Sequence, residues 1–69
     1  MTLDQLPNDT LAIITNSFNH RLEELCFTEG ERVKIISRAT FGGPLAVKVG
    51  TSVFALRIGE AKLIEVNIL

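Results

Sequence analysis

Arg38-Ala39-Thr40-Phe41-Gly42-Gly43-Pro44-Leu45-Ala46-Val47-Lys48-Val49-Gly50-Thr51-Ser52-Val53-Phe54-Ala55-Leu56-Arg57 is the stretch that decides the fold. It reads as a paired-glycine loop, an alternating strand, a one-glycine turn and a second strand. In the first of these strands Leu45, Val47 and Val49 point inward while Ala46 and Lys48 point outward. That is the two-residue period of a half-buried sheet. Gly50-Thr51 makes a short hairpin, and residues 53–57 return with Phe54 and Leu56 inward. The second half of the chain is a tight antiparallel meander.

Working outward, residues 31–38 give the clearest strand. Val33, Ile35 and Ser37 share one face and Arg32, Lys34 and Arg38 the other, with Ile36 the exception. Downstream, residues 58–62 are too few for a packed helix and suit a single 3₁₀ turn. Residues 63–69 close the chain, with Ile64, Val66 and Ile68 alternating against Glu65 and Asn67. Upstream, residues 3–7 are a short lead-in, and Pro7 with Asn8-Asp9 gives a turn. Residues 10–16 read as the first strand, with Leu11 and Ile13 inward and Thr10 and Ala12 outward. Asn16 and Ser17 can cap a helix start. Phe18, Leu22 and Leu25 then fall at i, i+4 and i+7, one helical stripe. That helix stops near Cys26-Phe27, and Gly30 supplies the positive φ of the next turn.

These parts predict an all-β fold: a small five-stranded SH3-like barrel over residues 1–69, one domain. One short helix lies between strands 1 and 2, and a 3₁₀ turn precedes the last strand. Closing the sheet would remove unpaired edges. A chain this short buries only roughly 60% of the surface its unfolded form exposes. With 46% hydrophobic against 22% charged residues it has enough apolar mass to do so, which excludes a disordered tail.

The formal net charge of −1 and the lack of Tyr and Trp argue against nucleic acid, which calls for a basic face and stacking aromatics. Arg32, Lys34, Arg38 and Lys48 read as the solvated face of a sheet. The missing aromatics also argue against a polyproline groove. One cysteine excludes an internal disulfide and fits a reducing cytosol. Neither a signal peptide nor the roughly 20 apolar residues of a membrane span is legible, so a cytoplasmic chain without direct membrane insertion is expected. One His and one Cys make neither a catalytic triad nor an acid/base pair. No clustered ligands suggest a metal site, and Gly42-Gly43 is not followed by the Gly-Lys-Ser/Thr of a phosphate loop. The reading assigns no catalytic, cofactor or metal residues. By elimination the chain is a binding module that acts through its surface.

The order and spacing of several pieces resemble the FeoA family, small accessory proteins of bacterial ferrous iron transport. They are Leu3, Leu6-Pro7, Arg21-Leu22-x-x-Leu25, Gly30, Val33, Arg38-Ala39, Phe41-Gly42-x-Pro44-Leu45, Leu56-Arg57, Glu60-Ala61 and Ile64-Glu65-Val66. Three positions depart from the family pattern: Cys26 stands where Gly is usual, Gly43 where Asp is common, and Asn8-Asp9 replaces a glycine after the proline. The resemblance implies a cytosolic partner of FeoB, the ferrous iron permease with a GTP-binding domain. The chain would bind its cytoplasmic part, sit peripherally at the inner membrane through it, and modulate its assembly or GTP turnover. Weak self-association is left open. The alternatives are a small-barrel module for RNA or ribosomal partners, and a stand-alone relative of the SH3-like domain of iron-dependent repressors. For the partner surface, the reading nominates Leu25, Cys26 and Phe27 at the helix end and Phe41 in its loop. Arg57 supplies part of a charged frame. Recognition favours exposed apolar residues framed by charge.

Overall fold

The computed structural model describes residues 1–17 and 27–69. A 3₁₀ turn at Leu3–Gln5 precedes strands β1 (Leu11–Ser17), β2 (Arg32–Arg38), β3 (Leu45–Val49) and β4 (Ser52–Leu56). A single helical turn, α1 (Ile58–Ala61), leads to β5 (Ile64–Ile68). The expected helix between the first two strands falls on residues 18–26, outside the described residues.

The strands form one antiparallel sheet in the order β4-β3-β2-β1-β5. The expected ring does not close: β4 and β5 are the two ends of the sheet and share no ladder. The N-terminus covers the outer side of β5 instead. Thr2 bridges Glu65, and the Val66 N–H donates to the Met1 carbonyl at 2.8 Å. Pairing with a neighbouring segment satisfies an edge as well as closure does.

One cluster of buried side chains covers one face of the sheet. Leu3 and Leu6 come from the lead-in, Ala12 and Ile14 from β1, and Val33 and Ile35 from β2. Leu45, Val47 and Val49 of β3, Leu56 of β4, Ala61 of α1, and Ile64 and Val66 of β5 complete it with Phe27. The inward set of β3 and the inward positions of Leu56, Ile64 and Val66 agree with the sequence reading. Ile68, expected inside, is half exposed beyond the end of the core.

β1 presents the opposite face from the one expected: Ala12 and Ile14 are buried, and Leu11 lies on the outer face. Leu11-Ala12-Ile13-Ile14 is apolar throughout, so alternation alone cannot choose between two registers that differ by one residue. Pairing decides, because Ala12 lies opposite Val33 and Ile14 opposite Val66, both in the core.

A bulge between Ile35 and Ser37 changes β2 in the same way. Ile35 pairs with Val47 and Ser37 with Ala46, which leaves Ile36 as the extra residue. Beyond a bulge the inside and outside of a strand exchange. Ser37 is therefore exposed rather than inward. Arg38, expected on the outer face, lies opposite the buried Leu45 and reaches across the end of the sheet. Its Nε donates to Asn8 Oδ1 at 2.8 Å, Nη1 to the Asp4 carbonyl at 2.8 Å, and Nη2 to the Leu6 carbonyl. A guanidinium holds several acceptors in fixed geometry, and here it ties the lead-in to β2.

The expected 3₁₀ turn at residues 58–62 is α-helical. The Ala61 and Lys62 N–H groups reach back four residues, to the Arg57 and Ile58 carbonyls, both at 3.0 Å. Glu60 accepts the Arg57 N–H through Oε1 at 3.2 Å. This satisfies one of the donors that a helix start leaves open.

Candidate functional site

The nominated residues fall into three groups. Leu25 and Cys26 lie outside the described residues. Phe27 is fully buried and meets Phe54 edge-to-face, with centroids 5.4 Å apart and planes at 61°. The expectation that Phe27 forms part of an exposed surface is therefore corrected: its ring is a core side chain. The apolar run Leu25-Cys26-Phe27 invited the opposite reading because nothing in it marks which residue turns in.

Phe41 stands at the other extreme, with its side chain entirely in solvent at 105% relative exposure. Its position follows from the loop. The Ala39 N–H donates to the Pro44 carbonyl at 3.1 Å, and the Gly43 N–H to the Thr40 carbonyl at 3.3 Å. The second bond closes a four-residue turn with Phe41 and Gly42 at its centre. Both carry positive φ, 57° and 75°, as the turns that match strand twist require. Gly42 adopts that conformation without cost. A phenylalanine there is an outlier, since a side chain in the left-handed region costs about 1–2 kcal/mol. Gly43 is needed for a different reason: a Cβ on it would come 2.5 Å from the Ala39 Cβ. The missing side chain at Gly43 thus lets the two arms of this loop close on each other.

The loop and the start of α1 are neighbours, because a Cβ on Gly42 would lie 3.9 Å from Ile58 Cδ1. Arg57, immediately before Ile58, is exposed. Two of the nominated residues, Phe41 and Arg57, therefore belong to one end of the sheet: an aromatic ring on a strained tip, beside the segment that carries a cation. Sequence reasoning missed Arg38 at this end, where it holds the lead-in in place. Its spacing from Gly42-Gly43 gave no sign of the bulge that turns it there. Among the described residues no group of three or more His, Cys, Asp or Glu is placed to hold a metal ion. No helix among them is long and apolar enough to cross a membrane.

The FeoA domain family matches residues 1–68. The chain belongs to the FeoA family. The structure is similar to iron(II) transport protein A from Clostridium thermocellum, with a TM-score of 0.93 and 31% identity over 100% of this chain. The present chain spans 46% of that longer protein. It is also similar to the zinc-complexed FeoA of Stenotrophomonas maltophilia, with a TM-score of 0.87 and 39% identity. That match covers 97% of this chain and 89% of the other. The Stenotrophomonas protein is described as a prokaryotic SH3-domain protein and a candidate ferrous iron transport activating factor. The Chlorobium tepidum FeoA gives a TM-score of 0.90 at 28% identity, covering 100% of this chain and 70% of the other. A search of curated proteins returns no match. The names of the Clostridium and Stenotrophomonas proteins tie those two relatives to ferrous iron transport.

Proposed function

We propose that this FeoA chain is a cytosolic accessory protein of ferrous iron uptake. It binds the cytoplasmic part of the FeoB permease and modulates the permease's assembly or GTP turnover. The observation that carries this reading is Phe41. Folding gains nothing from an aromatic ring that touches no core, and the backbone beneath it is strained. Strain held where packing does not need it points to function, and exposed aromatics are the side chains that anchor protein interfaces. Arg57, beside the same turn, supplies the charged rim that such an anchor favours. The iron(II) transport role in the name of the Clostridium relative and the activating role suggested for the Stenotrophomonas one agree with a permease as partner.

The test is capture of the permease from detergent-solubilised membranes of the source cell on immobilised chain. GTP hydrolysis by purified full-length FeoB is then measured with and without the chain. Enrichment of FeoB, with a hydrolysis rate that changes on titration, supports the proposal. Ribosomal proteins or RNA as the dominant partners would replace it with the small-barrel alternative.

A further inference from the structure

The outer face of the sheet carries a second feature, remote in register from the Phe41 turn. β1 to β4 contain no Asp or Glu, although the whole chain carries eight acids against seven Lys and Arg. Their cations are Arg32, Lys34, Arg38 and Lys48. Arg38 is committed to the lead-in. The other three are brought together with Leu11 and Gly50 around an open groove of about 310 Å³. Pairing explains how. Leu11 lies opposite Lys34, Lys34 opposite Lys48, and Lys48 opposite Val53, so one row crosses four strands. Arg32, opposite Ile13, stands in the next row of the same face.

Two features of this row suit a ligand. Like charges directly opposite each other on a sheet destabilise it, and Lys34 faces Lys48 with no carboxylate on any of the four strands to separate them. The lysine pair is also flanked by apolar side chains left in water: Leu11 is 43% exposed and Val53 58%. A free phosphate would use the cations and leave these two idle. It would also find no cluster of backbone N–H groups, because those of a sheet interior are spent in the ladders. RNA would find no aromatic ring in the row to stack on. A protein segment that alternates carboxylates with aliphatic side chains would use every part of it.

We propose that the groove bounded by Leu11, Arg32, Lys34 and Lys48, extended by Val53, is a docking site for an acidic segment of a partner protein. Glu or Asp side chains lie on the three cations, and aliphatic side chains cover Leu11 and Val53. The proposal does not depend on which protein supplies the segment, and it is independent of the Phe41 contact.

The probe is acetyl-Glu-Leu-Glu-Ala-Glu-Leu-Glu-amide, titrated into the isotopically labelled chain and followed by amide chemical shifts. Saturable shifts centred on Leu11, Arg32, Lys34, Lys48 and Val53 are expected, with Kd below about 1 mM. Binding should weaken as salt rises. The double variant K34E/K48E should weaken binding at least tenfold, about 1.4 kcal/mol. K34Q/K48Q, which removes charge without reversing it, should weaken it less. Both change only outward side chains, and an unchanged amide spectrum elsewhere reports that each remains folded. Should K34E/K48E lose its spectrum, the Gln pair decides the matter alone. The proposal is overturned if the Gln-for-Glu version of the peptide binds equally well, or if the shifts map to another face. It is also overturned if inorganic phosphate or an oligouridylate produces the same shifts at lower concentration.

Discussion

Replacing Phe27 by Ala separates a core role from a surface role in one step. The ring is fully buried and packs edge-to-face on Phe54 at 5.4 Å. Truncating a buried phenylalanine costs about 3–5 kcal/mol, through lost transfer energy and the cavity left behind. The aromatic pair accounts for about 0.5–1.5 kcal/mol of that. A domain of this length holds only about 3–10 kcal/mol of net stability, so the variant should sit near the edge of unfolding. Each kcal/mol moves the midpoint of so small a domain by about 4–8 °C, which predicts a fall of at least about 12 °C. With no Trp or Tyr in the chain, the assay is urea and thermal denaturation followed by far-ultraviolet circular dichroism. A double-mutant cycle with Phe54→Leu isolates the ring–ring contribution, which should appear as non-additivity. A loss below about 0.5 kcal/mol, the ordinary range for surface positions, would refute the placement of Phe27 in the core and return it to the exposed face.

Three further substitutions test the end of the sheet that carries the proposed contact. Arg38→Met should cost about 1.5–3 kcal/mol, the usual loss when a charged hydrogen-bond donor is removed, and should speed hydrogen exchange at Leu6 and Asp9; an unchanged urea midpoint would mean the guanidinium pins nothing. Gly43→Ala should cost about 1–3 kcal/mol by overpacking against Ala39, read by calorimetry, and a neutral result would show that the loop arms are further apart. Phe41→Gly should leave the melting temperature unchanged or raise it, because relief of about 1–2 kcal/mol of left-handed strain is set against about 0.5–1 kcal/mol of added chain entropy; a fall of several degrees would mean the ring packs against something.

The elements with clean alternation were legible from the residues. β3 separates Leu45, Val47 and Val49 from Ala46 and Lys48, and both its register and its inward face follow from that pattern. The hairpin at Gly50 was legible because a glycine at the first of two loop residues, here at φ 61°, has one main structural use. β1 was misread for the opposite reason: with four apolar residues in a row, the face is chosen by Val33 and Val66 across the sheet. Ser37 and Arg38 were misplaced by a bulge that no single residue announces, since bulges are set by the pairing of both strands. Closure was inferred from the parts list of an SH3-like barrel, whereas the chain covers the edge of β5 with Met1 and Thr2, residues to which the pattern assigned no element. The exposure of Phe41 was legible because a large aromatic at a hairpin tip, between Arg38 and two glycines, has no core to enter. Its left-handed backbone was not legible, because no residue in the loop announces which position takes positive φ besides the glycines.

The proposed contact between the Phe41 end of this FeoA chain and the permease can be read as a binding equilibrium. The most direct measurement is equilibrium binding of the chain to purified full-length FeoB in nanodiscs, comparing the natural chain with Phe41→Ser. Saturable binding of the natural chain is predicted, with at least tenfold weaker binding by the variant, about 1.4 kcal/mol, at an unchanged melting temperature. Equal binding by both chains would contradict the assignment of Phe41, and no binding by either would contradict the proposed partnership itself.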